Sequence, residues 1–162
     1  MSVRNKKFQF LPFIICLIIP LAIGAIGGFF TMESVKTWYT TLNKPSFNPP
    51  NEIFGPVWST LYVLMGISSY LVWKERKSFI GYNWAVGLYF LQLILNLMWS
   101  FLFFYQHQIG IALVEIIILL ITIIATAIIF YRVNKAAGLL FIPYILWVSF
   151  ASYLTYSIFI LN

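Results

Sequence analysis

The sequence predicts an all-α integral membrane protein, a bundle of five transmembrane helices with a proline-rich lid loop between helices 1 and 2. Hydrophobic residues make up 62% of the 162-residue chain and charged residues only 9%, whereas a soluble domain carries about 25% charged residues. So few charges cannot cover a water-facing surface, and a chain this apolar collapses instead of remaining disordered. The remaining class is a small protein embedded in a membrane.

Long stretches without charge supply the predicted helices, because a bilayer core about 30 Å thick needs about 20 apolar residues per crossing. The first stretch is longer than the core of a cleaved signal peptide, so we interpret it as a retained helix. Residues 78–114 suit most of two crossings, and their natural break is Gln106-His107-Gln108. The predicted helices are residues 8–32, 53–73, 81–105, 109–131 and 136–161.

Basic residues are distributed unequally between the two sides of the predicted bundle. Eight lie on the side of the N-terminus: Arg4, Lys6, Lys7, Lys74, Arg76, Lys77, Arg132 and Lys135. Only Lys36 and Lys44 lie on the other side. The positive-inside rule then predicts a cytoplasmic N-terminus, with the C-terminus and first loop outside, if the membrane is a bacterial cell membrane.

The composition also excludes several kinds of site. Cys16 is the one cysteine and His107 the one histidine, which excludes an internal disulfide, a thiolate metal cluster and paired histidine ligands. We therefore expect no metal site and no required cofactor. The basic residues follow membrane topology and form no contiguous patch, so nucleic-acid binding is not expected.

The first loop, residues 33–52, combines prolines with aromatic residues. Proline fixes φ and pushes the preceding residue toward extended geometry, so the segment is stiff. Its aromatics supply apolar surface to bury, which favours an ordered lid, with a stiff interfacial linker as the alternative. The predicted lid residues are Trp38, Lys44, Pro45, Ser46, Phe47 and Pro50.

Four of the predicted helices carry a polar and aromatic face at helical spacing. These faces consist of Trp58, Tyr62, Met65 and Ser69; Gln92, Asn96, Trp99 and Phe103; Glu115, Leu119, Thr122 and Thr126; and Tyr144, Trp147 and Ala151. Polar contacts between helices explain such faces without a ligand. Aromatic faces with a few amides also resemble the lining of an apolar pocket, and most of these residues lie in the half of the bundle nearest the lid loop.

Individual residues carry open alternatives. Glu115, the only charged residue within the predicted spans, is either a protonated acid bonded to a neighbouring helix or a residue with a ligand or proton role. Trp73 and Trp84 fit the aromatic belt at the membrane interface, whereas Trp58 and Trp147 are the tryptophans expected to be functional. Gly24 and Gly28 form a GxxxG motif that predicts close helix contact within the bundle or between subunits.

Several motifs together resemble one family. They are Trp38-Tyr39, the KPSxxPP pattern within residues 42–50, the GPVWxxLY pattern within residues 54–62, residues 92–96 with Trp99, residues 112–115, and residues 143–147 with Ala151. In this order they resemble the tryptophan-rich sensory protein and translocator protein family, TspO/MBR, over nearly the whole chain. The resemblance implies a five-helix bundle whose lidded pocket binds porphyrins and isoquinoline- or benzodiazepine-type ligands.

The resemblance also implies roles for individual residues. Trp58 and Trp147 match pocket tryptophans implicated in light-dependent breakdown of protoporphyrin, Asn96 matches a pocket amide, and Glu115 stands where relatives often have aspartate. The predicted ligand-binding residues are Tyr39, Pro49, Trp58, Tyr62, Gln92, Asn96, Trp99, Glu115, Tyr144, Trp147 and Ala151.

Three functions remain open at this point. The first is a binding protein for protoporphyrin IX-type tetrapyrroles, acting as sensor, carrier or scavenger. The second is a porphyrin-degrading enzyme that needs light, oxygen and the pocket tryptophans, and the third is a sterol or lipid transporter. The expected partners are a flat hydrophobic small molecule, membrane lipid and, because family members commonly dimerise, a second copy of the chain.

Overall fold

Helices account for most of residues 7–162, the part of the chain that the computed structural model describes. The helices are α1 (Phe10–Lys36), α2 (Trp38–Thr41), α3 (Asn51–Lys74), α4 (Tyr82–Ser100), α5 (Ile109–Val133), α6 (Lys135–Leu139) and α7 (Ile142–Leu161), and a π-helical turn, Phe101–Tyr105, continues α4. The predicted orientation used Arg4 and Lys6, which lie outside the described residues.

Four helical segments within residues 7–162 are long and apolar enough to cross a membrane. They are Phe10–Lys36, Tyr82–Tyr105, Ile109–Val133 and Lys135–Leu161. The α3 helix has a comparable length, 24 residues, but is more polar, since it begins with Asn51 and Glu52 and buries Ser68. The protein is therefore an all-helical integral membrane protein.

Two predicted helices differ from the observed ones by more than a shift of one or two residues at an end. The α1 helix continues past residue 32 to Lys36, because a charge such as Glu33 ends an apolar run without breaking the backbone hydrogen bonds. The last predicted helix, residues 136–161, is split into α6 and α7. Pro143 lies in the first turn of α7, and in one continuous helix its ring would clash with the carbonyl of Leu139.

The bundle has two ends, which we name by their connections. The loop end holds residues 37–50 and the break at residues 106–108, and the opposite end holds residues 75–81. The α1 helix packs closely on α3, α4 packs on α5, and α5 packs on α7. At Gly66 of α3, an added Cβ would lie 2.8 Å from the Cα of Leu17, so the two backbones require a glycine there.

The predicted GxxxG pair divides between two surroundings. A Cβ at Gly24 would overlap the ring of Tyr62, whereas a Cβ at Gly28 would meet nothing within 4 Å. Gly27 lies against α4, where a Cβ added to Gly27 would be 3.3 Å from the Oγ of Ser100. Within the chain, Gly24 and Gly27 therefore serve close packing, and Gly28 leaves open space on the surface of α1.

Residues 37–50 are tied to the rest of the bundle at several points. Asn43 and Asn162 exchange hydrogen bonds, with the Asn43 N–H donating to Asn162 Oδ1 (3.0 Å) and Asn162 Nδ2 donating to the Asn43 carbonyl (3.0 Å). The ring of Phe47 stacks on Tyr153 of α7 at a centroid distance of 5.2 Å. These contacts hold the segment against the end of α7.

A second tie joins this segment to the break after α4. The ring of Trp38 stacks on His107 at 4.1 Å and 16°, and the His107 Nε2 lies 3.2 Å from the Ser34 Oγ. His107 has a φ of 57°, in the left-handed region that few non-glycine residues adopt. The two side-chain contacts stabilise that strained turn and join the end of α1 to it.

Candidate functional site

A chain of hydrogen bonds crosses the middle of the bundle and joins three helices. The Tyr62 hydroxyl of α3 donates to Asn96 Oδ1 of α4 at 2.6 Å, and Asn96 Nδ2 donates to the Tyr144 hydroxyl of α7 at 2.8 Å. All three side chains are buried. Because a buried polar group without a partner is costly, these two bonds set the relative positions of α3, α4 and α7.

Aromatic rings extend this layer between α3 and α7. Trp58 stacks on Tyr62 at a centroid distance of 5.7 Å and meets Tyr144 edge-on at 6.1 Å. One turn nearer the loop end, Phe54 meets Trp147 edge-on at 5.9 Å. The space between the two helices is thus filled by pairs of aromatic side chains.

Four side chains among residues 7–162, between the middle of the bundle and its loop end, have buried polar atoms without a hydrogen-bond partner in the structure. The atoms are Gln92 Nε2 and Oε1, Trp99 Nε1, both carboxyl oxygens of Glu115, and Trp147 Nε1. Gln92 is 0% exposed and Glu115 6% exposed. Leaving such groups unpaired costs about 1–3 kcal/mol each, and these donors and acceptors are unused within the described part of the chain.

The first-loop residues lie in an adjoining aromatic cluster. Tyr39 is buried against Phe103 and Phe104 and donates to Asn48 Oδ1 at 2.6 Å. Burial raises the pKa of Tyr39 to about 12, although the bond to Asn48 opposes the rise. Lys44 donates to the Tyr39 carbonyl at 2.8 Å and lies over its ring.

The predicted site residues therefore fall into two groups. Trp58, Tyr62, Tyr144, Trp147 and Ala151 pack in one aromatic core with the buried polar side chains around them. Tyr39 packs in the adjoining cluster, which Trp99 and Phe54 join to the core. Pro49 is half-buried in the loop, where its carbonyl accepts a bond from Asn48 Nδ2.

Sequence reasoning missed three residues that shape this region. Phe54 covers Trp147, Asn48 holds the Tyr39 hydroxyl, and His107 supports Trp38. Phe54 lies four residues before Trp58, on the same helical face, so its spacing contained the signal. The partners of Asn48 and His107 depend on the folded loop, and no spacing in the sequence indicates them.

A cavity of about 290 Å³ lies at the opposite end of the bundle, away from these residues. It is bounded by α1, α3 and α4, with Phe130 of α5. Among residues 7–162, no group of three or more histidine, cysteine, aspartate or glutamate side chains is arranged to hold a metal ion.

Comparison with known proteins identifies the family of this chain. The family model for TspO/MBR matches residues 16–161. The chain belongs to the TspO/MBR family. It is 43% identical to the tryptophan-rich protein TspO of Chlorobaculum tepidum over 158 residues, which cover 95% of this chain and 98% of the relative.

Archaeal and animal members of the TspO/MBR family are similar over most of their length. The tryptophan-rich protein TspO of Archaeoglobus fulgidus is 45% identical over 142 residues, 88% of this chain and 91% of the relative. The human translocator protein is 40% identical over 134 residues, 82% of this chain and 79% of the relative. Membership of the TspO/MBR family supports a ligand-binding or sensory role in a membrane for this chain.

Proposed function

We propose that this protein binds flat hydrophobic tetrapyrroles of the protoporphyrin IX type between α3 and α7, as a sensor, carrier or scavenger. The observation that carries the proposal is the set of six buried, unpartnered polar atoms beside the aromatic layer. A pocket of apolar rings with few polar anchors is the usual design of a small-molecule site. We expect isoquinoline- or benzodiazepine-type ligands to bind in the same region and therefore to compete with the porphyrin.

The chemistry of the unpartnered atoms suits such a ligand. Trp99 and Trp147 offer indole N–H donors to the carboxylates of a porphyrin, and Gln92 offers both a donor and an acceptor. Trp58 and Tyr62 offer ring faces on which a macrocycle can stack. Because these rings now fill the space between α3 and α7, we expect the aromatic pairs to separate when the ligand enters.

We also propose the arrangement of this site in the membrane. With α3 as a crossing helix, the bundle has five crossings, and residues 37–50 form the lid at the loop end. The ties to α7 and His107 support an ordered lid rather than a loose linker. The distribution of basic residues supports a cytoplasmic N-terminus in a bacterial cell membrane, and the open space at Gly28 supports contact between two copies of the chain.

Titration of the purified protein with protoporphyrin IX, followed by tryptophan fluorescence, tests the proposal. The variant Trp147→Phe removes an unpartnered N–H and is expected to weaken binding at least tenfold, because a hydrogen bond to a charged group contributes about 1.5–3 kcal/mol. Trp84→Phe is the matched control, because Trp84 is 79% exposed at the opposite end. Equal affinities for the two variants, or no saturable binding to the unmodified protein, would exclude this site.

A degradative activity is the second candidate, and the position of two tryptophans favours it. Trp58 and Trp147 lie on facing helices, and each touches an aromatic partner on the other helix. A porphyrin bound between these helices would contact both indoles. Either indole could then donate an electron to the light-excited porphyrin, and dioxygen would be the terminal oxidant. Illumination of the complex should bleach the porphyrin only in air, and unchanged bleaching in Trp58→Phe and Trp147→Phe would rule the activity out.

A further inference from the structure

The cavity at the opposite end of the bundle is an apolar groove along one face of α1. It is lined by Leu11, Pro12, Ile15, Cys16, Ile19, Ser69, Val72, Trp73, Tyr82, Val86, Tyr89, Phe90 and Phe130. From Leu11 to Ile19 it follows α1 for about 12 Å, at 1.5 Å per residue. Half of a hydrocarbon core is about 15 Å thick, so the groove spans most of one leaflet.

Several basic residues lie close in sequence to residues that line this groove, and one of them, Arg76, contacts a groove residue. The last residue of α3 is Lys74, and the chain continues with Glu75, Arg76 and Lys77. Lys7 precedes α1. The Arg76 guanidinium stacks on the ring of Trp73, a groove residue, at 3.6 Å. It also lies close enough to Tyr82, another groove residue, to interact with it electrostatically.

The stacked position leaves the edge of the Arg76 guanidinium available. Its Nη1 donates to the Trp73 carbonyl at 3.1 Å, which uses one of the five N–H groups of the side chain. Stacking occupies the face of the guanidinium, whereas phosphate oxygens bind at its edge, where two parallel N–H groups form a fork. A guanidinium edge that can bind phosphate thus lies beside Trp73, at the wall of an apolar groove.

We propose that this groove holds one acyl chain of an anionic phospholipid from the adjacent leaflet, with the lipid phosphate bound by Arg76. The groove volume of about 290 Å³ lies at the lower limit of small-molecule pockets, about 300 Å³, so it suits a narrow chain better than a wide macrocycle. Acyl chains gain little from apolar contact inside a bilayer, since lipid tails are as apolar as leucine. Affinity and selectivity therefore come from the headgroup, and the net positive charge of residues 74–77 selects a negative one.

The proposal is independent of the porphyrin site, which lies in the other half of the bundle and uses other residues. Lipid bound here would contact α1, α3 and α4 together. Two of these helices, α1 and α3, are already joined near the groove, because the N–H of Gln9, the residue before α1, donates to the Tyr70 hydroxyl of α3 at 2.8 Å. We therefore expect the bound lipid to stabilise the packing of α1 on α3.

Native mass spectrometry of the purified protein tests the proposal with phosphatidylglycerol and phosphatidylcholine of identical chains. The unmodified protein should retain one phosphatidylglycerol in preference. Arg76→Gln should lower that preference at least tenfold, whereas the charge-matched control Lys77→Gln should lower it about fivefold at most, the general attraction of one basic residue to an anionic leaflet. Inorganic phosphate added in excess should not displace the lipid.

A second pair of variants on α4 tests the groove itself. Val86→Phe places a ring in the groove and should abolish the retained lipid, while Ile94→Phe, at a 54% exposed position, should leave it unchanged. Thermal unfolding of all four variants checks that they are folded. The proposal is overturned if Arg76→Gln and Lys77→Gln lower the lipid preference equally, or if inorganic phosphate displaces the lipid. It is also overturned if Val86→Phe changes the monomer–dimer ratio and leaves lipid retention unchanged.

Discussion

The hydrogen-bond chain from Tyr62 through Asn96 to Tyr144 allows one prediction to be worked out in detail. The variant Asn96→Leu keeps the side-chain size but removes both the acceptor for Tyr62 and the donor for Tyr144. Hydrogen bonds between membrane helices contribute about 0.6 kcal/mol on average and about 1.7 kcal/mol at most. Asn96→Leu should therefore lower the free energy of unfolding by about 1–3 kcal/mol, and Tyr62→Phe by about half of that.

The measurement is reversible unfolding in mixed micelles with increasing SDS, followed by circular dichroism. In a double-mutant cycle, Tyr62→Phe should cost almost nothing once Asn96→Leu is present, because the bond it removes is already lost. The triple variant with Tyr62→Phe and Tyr144→Phe should recover part of the loss, since it leaves no hydroxyl unpaired. Fully additive costs, or a triple variant less stable than Asn96→Leu alone, would show that the three residues do not act as one unit.

Three further predictions concern packing, the loop and pH. Gly24→Ala should lower the free energy of unfolding by about 1–3 kcal/mol, because the added methyl group overpacks against Tyr62. Gly28→Ala meets open space and should be neutral or stabilising. Chemical unfolding of the two variants measures the difference, and equal stabilities would contradict the packing argument. Asn162→Ala removes two hydrogen bonds to Asn43. Amide hydrogen exchange in residues 43–48 should become about fivefold faster, because about 1 kcal/mol of hydrogen bonding is lost. Unchanged exchange would show that other contacts hold the loop. Tyr39 keeps its proton in the folded protein up to a pKa of about 12, whereas the unfolded chain loses it near its usual value of 10. Unfolding in that window releases a proton, so stability should fall as pH rises from 10 to 12, and thermal unfolding of Tyr39→Phe should show a smaller decline.

Most of the buried face of α4 and of the turn that continues it could be predicted from spacing. Gln92, Asn96 and Phe103 are buried, as a face at intervals of four and three predicts, and the break at residues 106–108 lies between α4 and α5. The boundary after α6 was not predicted, because hydropathy continues through Pro143 while backbone hydrogen bonding does not. The end of α1 was placed too early for the opposite reason, since Glu33 interrupts the apolar run but remains helical.

The sequence by itself determined that the chain is helical and embedded in a membrane, and its spacing indicated faces that include the buried Gln92, Asn96 and Phe103. Both follow from short-range rules: the scarcity of charge excludes a water-facing surface, and helical geometry converts spacing into faces. Only the tertiary structure decided that Asn96 joins Tyr62 to Tyr144 and that Gly24, not Gly28, meets a ring within the chain. It also decided that Arg76 stacks on Trp73 beside a groove at the opposite end. These facts depend on how far apart the helices lie and how each is rotated, which follows from the packing of side chains distant in sequence.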